Sequence, residues 1–387
     1  MPTDPITITS PNNNATVSGI VTVHAVAGVD YVFSRVDFYV DGDSAFSDAA
    51  APYRFPWDTA IYAGGSQHQL QAFAYSDTTY ASNIVTVTVM VIIPNSLESV
   101  STFILPAPGK RVATEGGHLF VAVGAEGMLA IDATIPAVPV EFFRFVADGD
   151  ARGVDVDSQH AALAEADQGV QLFDVSDPDT VLALFRHDTP GLAWNVKIAG
   201  GHVYVADNDA LVILAIVGDS LVSRSRFVIS AGVVKDVDVF DTTAYVLDVN
   251  GVTVIDVSDP RSPQSVFRYD ALRGLGISVF ATENFVFAGT SVSLEMLAVA
   301  ANRTLSEAAT FNSQNGVTGV FVQNGAILTS HGGSEGGARL FISPTGDTLL
   351  LASEFVNGDN CQDIAAEGSY AFLVGLTKLE ILRLVAQ

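Results

Sequence analysis

A single cysteine, Cys361, stands among the 387 residues, so no disulfide can form within the chain and packing has to hold it together. Tryptophan occurs only at Trp57 and Trp194, too few for the tryptophan-rich repeats of a quinoprotein. Lysine is scarcer still relative to its usual abundance: Lys110, Lys197, Lys235 and Lys378 are all there are, and 43 acidic residues face 18 basic ones for a net charge of −25. A field of that sign argues against nucleic acid or anionic membrane as a partner, because both require clustered cations. No apolar run approaches the ~18 residues of a membrane helix. The longest, Ile84 to Ile93, is broken by Thr86 and Thr88, so membrane insertion is not expected. Several catalytic signatures are not expected either: the metalloprotease His-Glu-x-x-His, the phosphate loop, the dinucleotide Gly-x-Gly-x-x-Gly, a Gly-x-Ser-x-Gly nucleophile elbow and the sialidase Asp box. Residues 1–20 carry no basic start followed by an apolar stretch. The reading is a mature exported chain, with a cytosolic protein as the alternative.

What is present is β pattern. Mean hydropathy is +0.36 with 49% apolar residues, as suits a protein full of buried strands. Residues 152–187, RGVDVDSQHAALAEADQGVQLFDVSDPDTVLALFRH, hold four short alternating stretches, Gly153–Asp157, His160–Ala166, Val170–Val175 and Val181–His187, divided by turns such as Asp177-Pro178. This unit recurs. The residue before each first-strand alternation falls at Arg111, Gly153, Asn195, Asp236, Gly276, Gly319 and Asp363, with spacings of 42, 42, 41, 40, 43 and 44. Four strands per period of about forty residues, seven times over, predict a seven-bladed β-propeller. The last copy lacks a fourth strand, and Ser99 to Leu105 has that strand's pattern. Pairing of 99–105 with 378–384 is therefore expected to close the ring and leave no open inner edge.

Residues 3–93 do not share the period. Strand candidates at Ile6–Ser10, Val17–Ala27, Arg35–Val40, Tyr53–Trp57, His68–Tyr75 and Ile84–Ile92, with turns at Pro11 to Asn14, Asp41-Gly42 and Gly64-Gly65, predict a β-sandwich. The expected division is 1–93 for the sandwich, 94–98 for a short linker of restricted reach, and 99–387 for the propeller.

Particular residues carry family resemblances. ITSP at 8–11, VDFYVDG at 36–42, APYRFPWDT at 51–59 and HQLQAFAYSD at 68–77 resemble bacterial immunoglobulin-like modules. The resemblance implies a spacer or weak binding unit in which Phe38, Tyr53, Phe55 and Trp57 are core aromatics. GVQLFDVSDP at 169–178, GVTVIDVSDP at 251–260, HLFVAV at 118–123 and HVYVAD at 202–207 resemble the LVIVD repeat of bacterial and archaeal surface proteins. That resemblance implies a β-propeller and supplies no catalytic motif; it is strong in copies two to four, looser in the first at GMLAIDATIP, and poor in the fifth and sixth, where Ser291–Val299 and Ala338–Pro344 keep only the apolar alternation.

If the first strand of each repeat lines a channel, the seven markers ring one mouth. Arg111, Asn195, Asp236 and Asp363 are its polar members, and Lys110, Arg152, Trp194, Lys235, Arg273 and Gln362 surround it. The candidate ligand-binding set is Arg111, Arg152, Trp194, Asn195, Lys235, Asp236, Arg273 and Asp363. A small anion, a sugar or a peptide would suit such a mixture. The plainer alternative is that opposite charges satisfy one another across a wet channel.

The histidines are spread around the repeats, so no metal site is assigned, and Cys361 reads as a small buried apolar residue. The acidity has three readings: solubility, a saline habitat, or Ca²⁺ at clusters such as Asp148, Asp150, Asp155 and Asp157, or Asp359 with Asp363. Ca²⁺ is thus the one cofactor left open. The functional expectation is a non-catalytic extracellular or cell-surface binding and scaffold protein whose partner is a protein or a glycan. Two alternatives stay open: a polysaccharide-active hydrolase or lyase using Asp236 or Asp363, and a self-assembling subunit of a surface layer or filament.

Overall fold

The computed structural model describes residues 4–18, 20–59, 62, 66–90, 94–177, 180–343 and 346–385, and every helix or strand element among them is a strand. The chain falls into two compact units, Met1–Ile93 and Pro94–Val385. The Gly64-Gly65 turn, the end of the Ile84–Ile92 stretch and Pro178 of the Asp177-Pro178 break lie outside the described residues.

In the first unit Ile6–Ser10, Ile20–Ala27 and Tyr53–Asp58 form one sheet. A second sheet runs in the order Ala15–Val17, Val85–Val89, Gln67–Tyr75, Arg35–Val40, Asp43–Asp48, with Thr79–Ala81 also on Gln67–Tyr75. Alternate residues of both sheets meet in one core that includes Ile6, Val23, Phe38, Tyr53, Phe55, Trp57, Leu70 and Val87. The four aromatics read as core are therefore core. Val17–Ala27, expected as one strand, is two, because the chain changes sheet after Val17. Asp43–Asp48 escapes an alternation test because it is an edge strand with nearly every residue in water. Its pairing is set by the preceding turn, where Asp41 and Gly42 take φ of 54° and 96°, the backbone that closes a tight hairpin.

Among its described residues the second unit holds seven four-stranded antiparallel sheets, six of them built from consecutive strands. The seventh takes its outer strand from the other end of the unit: Ser96–Ile104 pairs with Lys378–Val385, Phe103 opposite Leu379 and Ser101 opposite Ile381. The innermost strands are Arg111–Glu115, Gly153–Val156, Ala193–Ala199, Val234–Phe240, Gly276–Ala281, Gly319–Gln323 and Cys361–Glu367. They pack side by side in chain order, and the last lies beside the first. The sheets are not joined into one hydrogen-bonded ladder; side-chain packing carries most of the contact between them. Leu119 and Leu129 share a core with Phe372, Leu379 and Ile381, and Phe120 and Met128 share one with Leu163 and Phe173. Second and third strands, such as His118–Ala122 and Met128–Asp132, are thus buried on both faces. That is why they read as unbroken apolar runs.

The innermost strands approach closely at two marker glycines. A Cβ on Gly153 would lie 2.2 Å from Asn195 Oδ1, and one on Gly319 would lie 2.4 Å from Asp363 Oδ1. Those markers are small because the next sheet's polar side chain fills the space.

Candidate binding site at the channel mouth

Because the innermost strands all run the same way, residues of equal position form layers across the space between them. Arg111 anchors the first layer. Its guanidinium lies 3.3 Å from Asp236 and 3.2 Å from Asp363, and donates to Ser278 Oγ at 3.4 Å. Asn195 Nδ2 donates to the other oxygen of Asp236. Two residues further along each strand, Lys197 stands 3.5 Å from Asp155 and 3.7 Å from Asp238. These side chains line a cavity of about 240 Å³.

The carboxylates also tie three of the sheets to their successors. Asp155 accepts the Ile198 N–H at 2.7 Å, Asp236 the Val279 N–H at 2.8 Å, and Asp238 the Ala281 N–H at 2.7 Å. Asp363, on the last innermost strand, accepts the Val112 N–H of the first at 3.0 Å. At the far end Glu367 accepts from Gly116 and Gly117 at 2.9 and 3.0 Å. Every one of these bonds points forward, from one innermost strand to the strand or turn of its successor. A buried carboxylate with a cation on one side and a neighbouring N–H on the other is a structural tie.

Burial pushes the carboxyls of Asp363 and Asp238 up to about 6, with Arg111 and Lys197 pulling the other way. A carboxyl that binds its proton more tightly when folded stabilises the fold fully below its ordinary value of 3.8 and loses that contribution as pH rises through about 6. Asp132, Asp174 and Asp256 are shifted down by Thr134, Ser176 and Ser258, but they lie near the surface and their effect is screened; the stronger opposition is buried His331, pushed down to about 4, which costs stability as pH falls through its ordinary 6.5. With Asp155, Glu165 and Glu295 also raised by burial, the carboxyls outweigh the one histidine, and the chain is expected to melt higher at about pH 5 than at about pH 7.5, with Asp363→Asn narrowing the gap. Thermal unfolding followed by circular dichroism checks this; a melting temperature that rises over that interval contradicts it.

Above the first layer sits a wider cavity of about 470 Å³, lined by Lys110, Arg111, Asp150, Arg152, Trp194, Lys235, Gly276, Ile277, Thr318 and Gln362. Arg152 Cζ lies 4.1 Å and Lys235 Nζ 3.1 Å from the centre of the Trp194 ring. Arg152 Nε bonds Asp150 at 3.0 Å. Its Nη1, like the indole N–H of Trp194, is buried with no hydrogen-bond acceptor among the described residues.

Seven of the eight candidate residues thus gather at this end: Arg111, Asn195, Asp236 and Asp363 in the channel, Arg152, Trp194 and Lys235 on its rim. Arg273 does not. It pairs with Glu307 at 2.9 Å, out on its own sheet, because it lies three residues before its marker in the entering loop, whereas the rim residues lie one before. Lys197 and Asp238, and the pairing of Asp155 with Lys197, were missed. The signal was available: each lies two positions past a marker, and a strand repeats its face every second residue.

The acidic clusters read for Ca²⁺ have protein partners: Asp148 with Arg186, Asp150 with Arg152, Asp157 with the N–H groups of Gln159 and His160. Asp359 accepts from Thr377. Among the described residues no group of three or more His, Cys, Asp or Glu is placed to hold a metal ion. Contrary to the sequence expectation, Gly332-Gly333-Ser334-Glu335-Gly336 does spell Gly-x-Ser-x-Gly. It turns Ala326–His331 into Gly337–Ile342 with Ser334 in solvent, so it forms no strand-to-helix elbow. Cys361 is buried, and burial pushes its thiol up to about 12.

Residues 5–89 match the model of the bacterial Ig domain, and residues 190–221 and 231–271 match the LVIVD repeat. No curated protein matches the chain. Among solved structures, a chain of the mitotic checkpoint complex is similar with a TM-score of 0.64 at 10% identity, over 74% of this chain and 92% of that one. The WD40 β-propeller domain of Doa1 is similar with a TM-score of 0.60 at 9% identity, over 74% of this chain and 96% of that one. At such identities the likeness shows the fold alone, an all-β architecture of the β-propeller kind. No helix among the described residues is long and apolar enough to cross a membrane.

Proposed function

We propose that this bacterial Ig domain followed by LVIVD repeats is a non-catalytic binding and scaffold protein of the cell surface or extracellular space. In this reading the seven sheets are the blades of a closed seven-bladed propeller, the channel mouth is its interaction platform, and the Ig domain is a spacer. An Ig domain beside propeller repeats supports a binding or scaffold module in general. The observation that carries the non-catalytic reading is the commitment of Asp155, Asp236, Asp238 and Asp363, each held by a cation and by the next strand's N–H.

One observation favours the rival polysaccharide-active enzyme: a carboxyl raised to about 6 in a channel, as at Asp363, is poised for proton transfer near neutrality. Asp236→Asn separates the two. A structural tie predicts a loss of about 2–4 kcal/mol of stability in denaturant unfolding and no turnover of glycans or esters by either protein. Turnover by the parent chain that the variant loses while unfolding as before would establish the enzyme. Binding is tested by applying the full chain to arrays of glycans and peptides beside a variant with Lys110, Arg152 and Lys235 changed to Gln. The platform reading expects ligands that the variant no longer holds; retention of every ligand would move the site elsewhere.

A further inference from the structure

The rim is anomalous for this chain. With 18 basic residues against 43 acidic, cations are scarce, yet two of the four lysines line this one cavity and a third, Lys197, stands in the channel beneath. Arg111 is taken up by Asp236 and Asp363, and Asp150, the only carboxylate lining the wider cavity, is bonded to Arg152. Lys110 and Lys235 have no carboxylate partner among the described residues. Arg152 and Lys235 press on the same indole, and of the two only Arg152 has a carboxylate partner, Asp150. Burial and the nearby guanidinium both lower the Lys235 pKa, the direction expected of an ammonium short of anionic company.

The groups left over have a common chemistry. Arg152 Nη1, Trp194 Nε1 and the two ammoniums only donate, while the Thr318 hydroxyl donates to the Cys361 carbonyl and the Gln362 side-chain N–H groups to Asn360, so donors outnumber acceptors on the rim. Asn195 Oδ1, an acceptor without a partner, is buried against Gly153. A neutral sugar needs acceptors as well as donors and an open aromatic face, and here two cations occupy the indole. The far end of the channel is acidic, with Glu115 raised by burial and by Glu367, Asp157 and Asp155. Field and donors therefore select the same ligand from the same side.

We infer that the mouth binds a multivalent anion, a ligand presenting two or more carboxylate or phosphate groups to Lys110, Arg152 and Lys235. The inference rests on the platform reading for its location and narrows that reading's ligand to one charge class. A cavity of about 470 Å³ is the size of small-molecule sites.

Calorimetric titration of the full chain at low ionic strength tests it, with pyrophosphate and citrate as probes and maltotriose as the uncharged control. At least one anion is expected to bind, the preferred one naming phosphate or carboxylate. Binding should weaken at least tenfold in Arg152→Gln/Lys235→Gln and fall as salt is added, with the variant's melting temperature within a few degrees of the parent's. Trp57→Phe leaves Trp194 as the sole indole, whose emission should shift on binding. No heat from either anion overturns the inference, and so does binding that the double variant retains. The platform reading fails separately: it falls only if array ligands survive loss of the rim cations, and it stands if neutral ligands alone depend on them.

Discussion

A chain beginning at Pro108 is expected to aggregate, while one beginning at Leu97 is expected to be soluble and to unfold cooperatively. The two differ by the strand that completes the seventh sheet. Ser96–Ile104 lies along the whole of Lys378–Val385, and its removal leaves a row of unpaired N–H and C=O groups on a strand whose next neighbours are buried. Val100 and Phe103 also leave the core they share with Leu119, Leu129 and Leu379. The buried Glu380 carboxylate loses the Thr102 hydroxyl at 3.0 Å. An exposed edge of this length is a template for pairing with another chain. The loss is on the order of a domain's whole stability, ~5–15 kcal/mol. Size-exclusion chromatography and thermal scanning of the two fragments measure it, and equal behaviour would strip the pairing of its closing role.

Arg111→Met is expected to cost about 3–5 kcal/mol and to lower the melting temperature by roughly 10 °C, although it preserves most of the side-chain volume. Arg111 is only partly exposed, and its desolvation would depress its charge but for Asp236 and Asp363, which hold it protonated above the usual range. Without it two carboxylates from different sheets face each other with no cation between them. Removing one partner of a buried pair is more damaging than never having built the pair. Asp236→Asn and Asp363→Asn added to Arg111→Met should therefore recover most of the loss. The single variant should also suffer less at about pH 4, where the stranded carboxyls take up protons, than at about pH 8. Denaturant unfolding of the three proteins at the two pH values decides the matter: independent, additive losses would mean that the three residues do not act as one cluster.

The period of the second unit was legible because its second and third strands are packed on both faces. Val170–Asp174 and Val252–Asp256 stand out as apolar runs between turn residues, and nothing about their partners is needed to find them. Edge strands were harder: Asp43–Asp48 faces water and carries no alternation, so only the turn before it announced a hairpin. At the mouth, residues adjoining a marker were placed well, and Arg273 was not, since nearness in sequence to Gly276 is not nearness in space once a loop intervenes. Lys197 and Asp238 lie two residues past their markers, so the strand's alternation carries them to the same face one layer deeper.

The amino-acid order by itself determined the β class, the repeat length, and the need for a distant segment to finish the last sheet, because alternation and turn chemistry are local properties of the chain. Which charges would be spent and which left over was decided only by tertiary structure. The acceptor in Asp236 and the N–H of Val279 lie 43 residues apart and meet because adjacent sheets stack at one height. Arg111 is neutralised by the same stacking, and Lys110, one residue away, is left facing the cavity without a carboxylate.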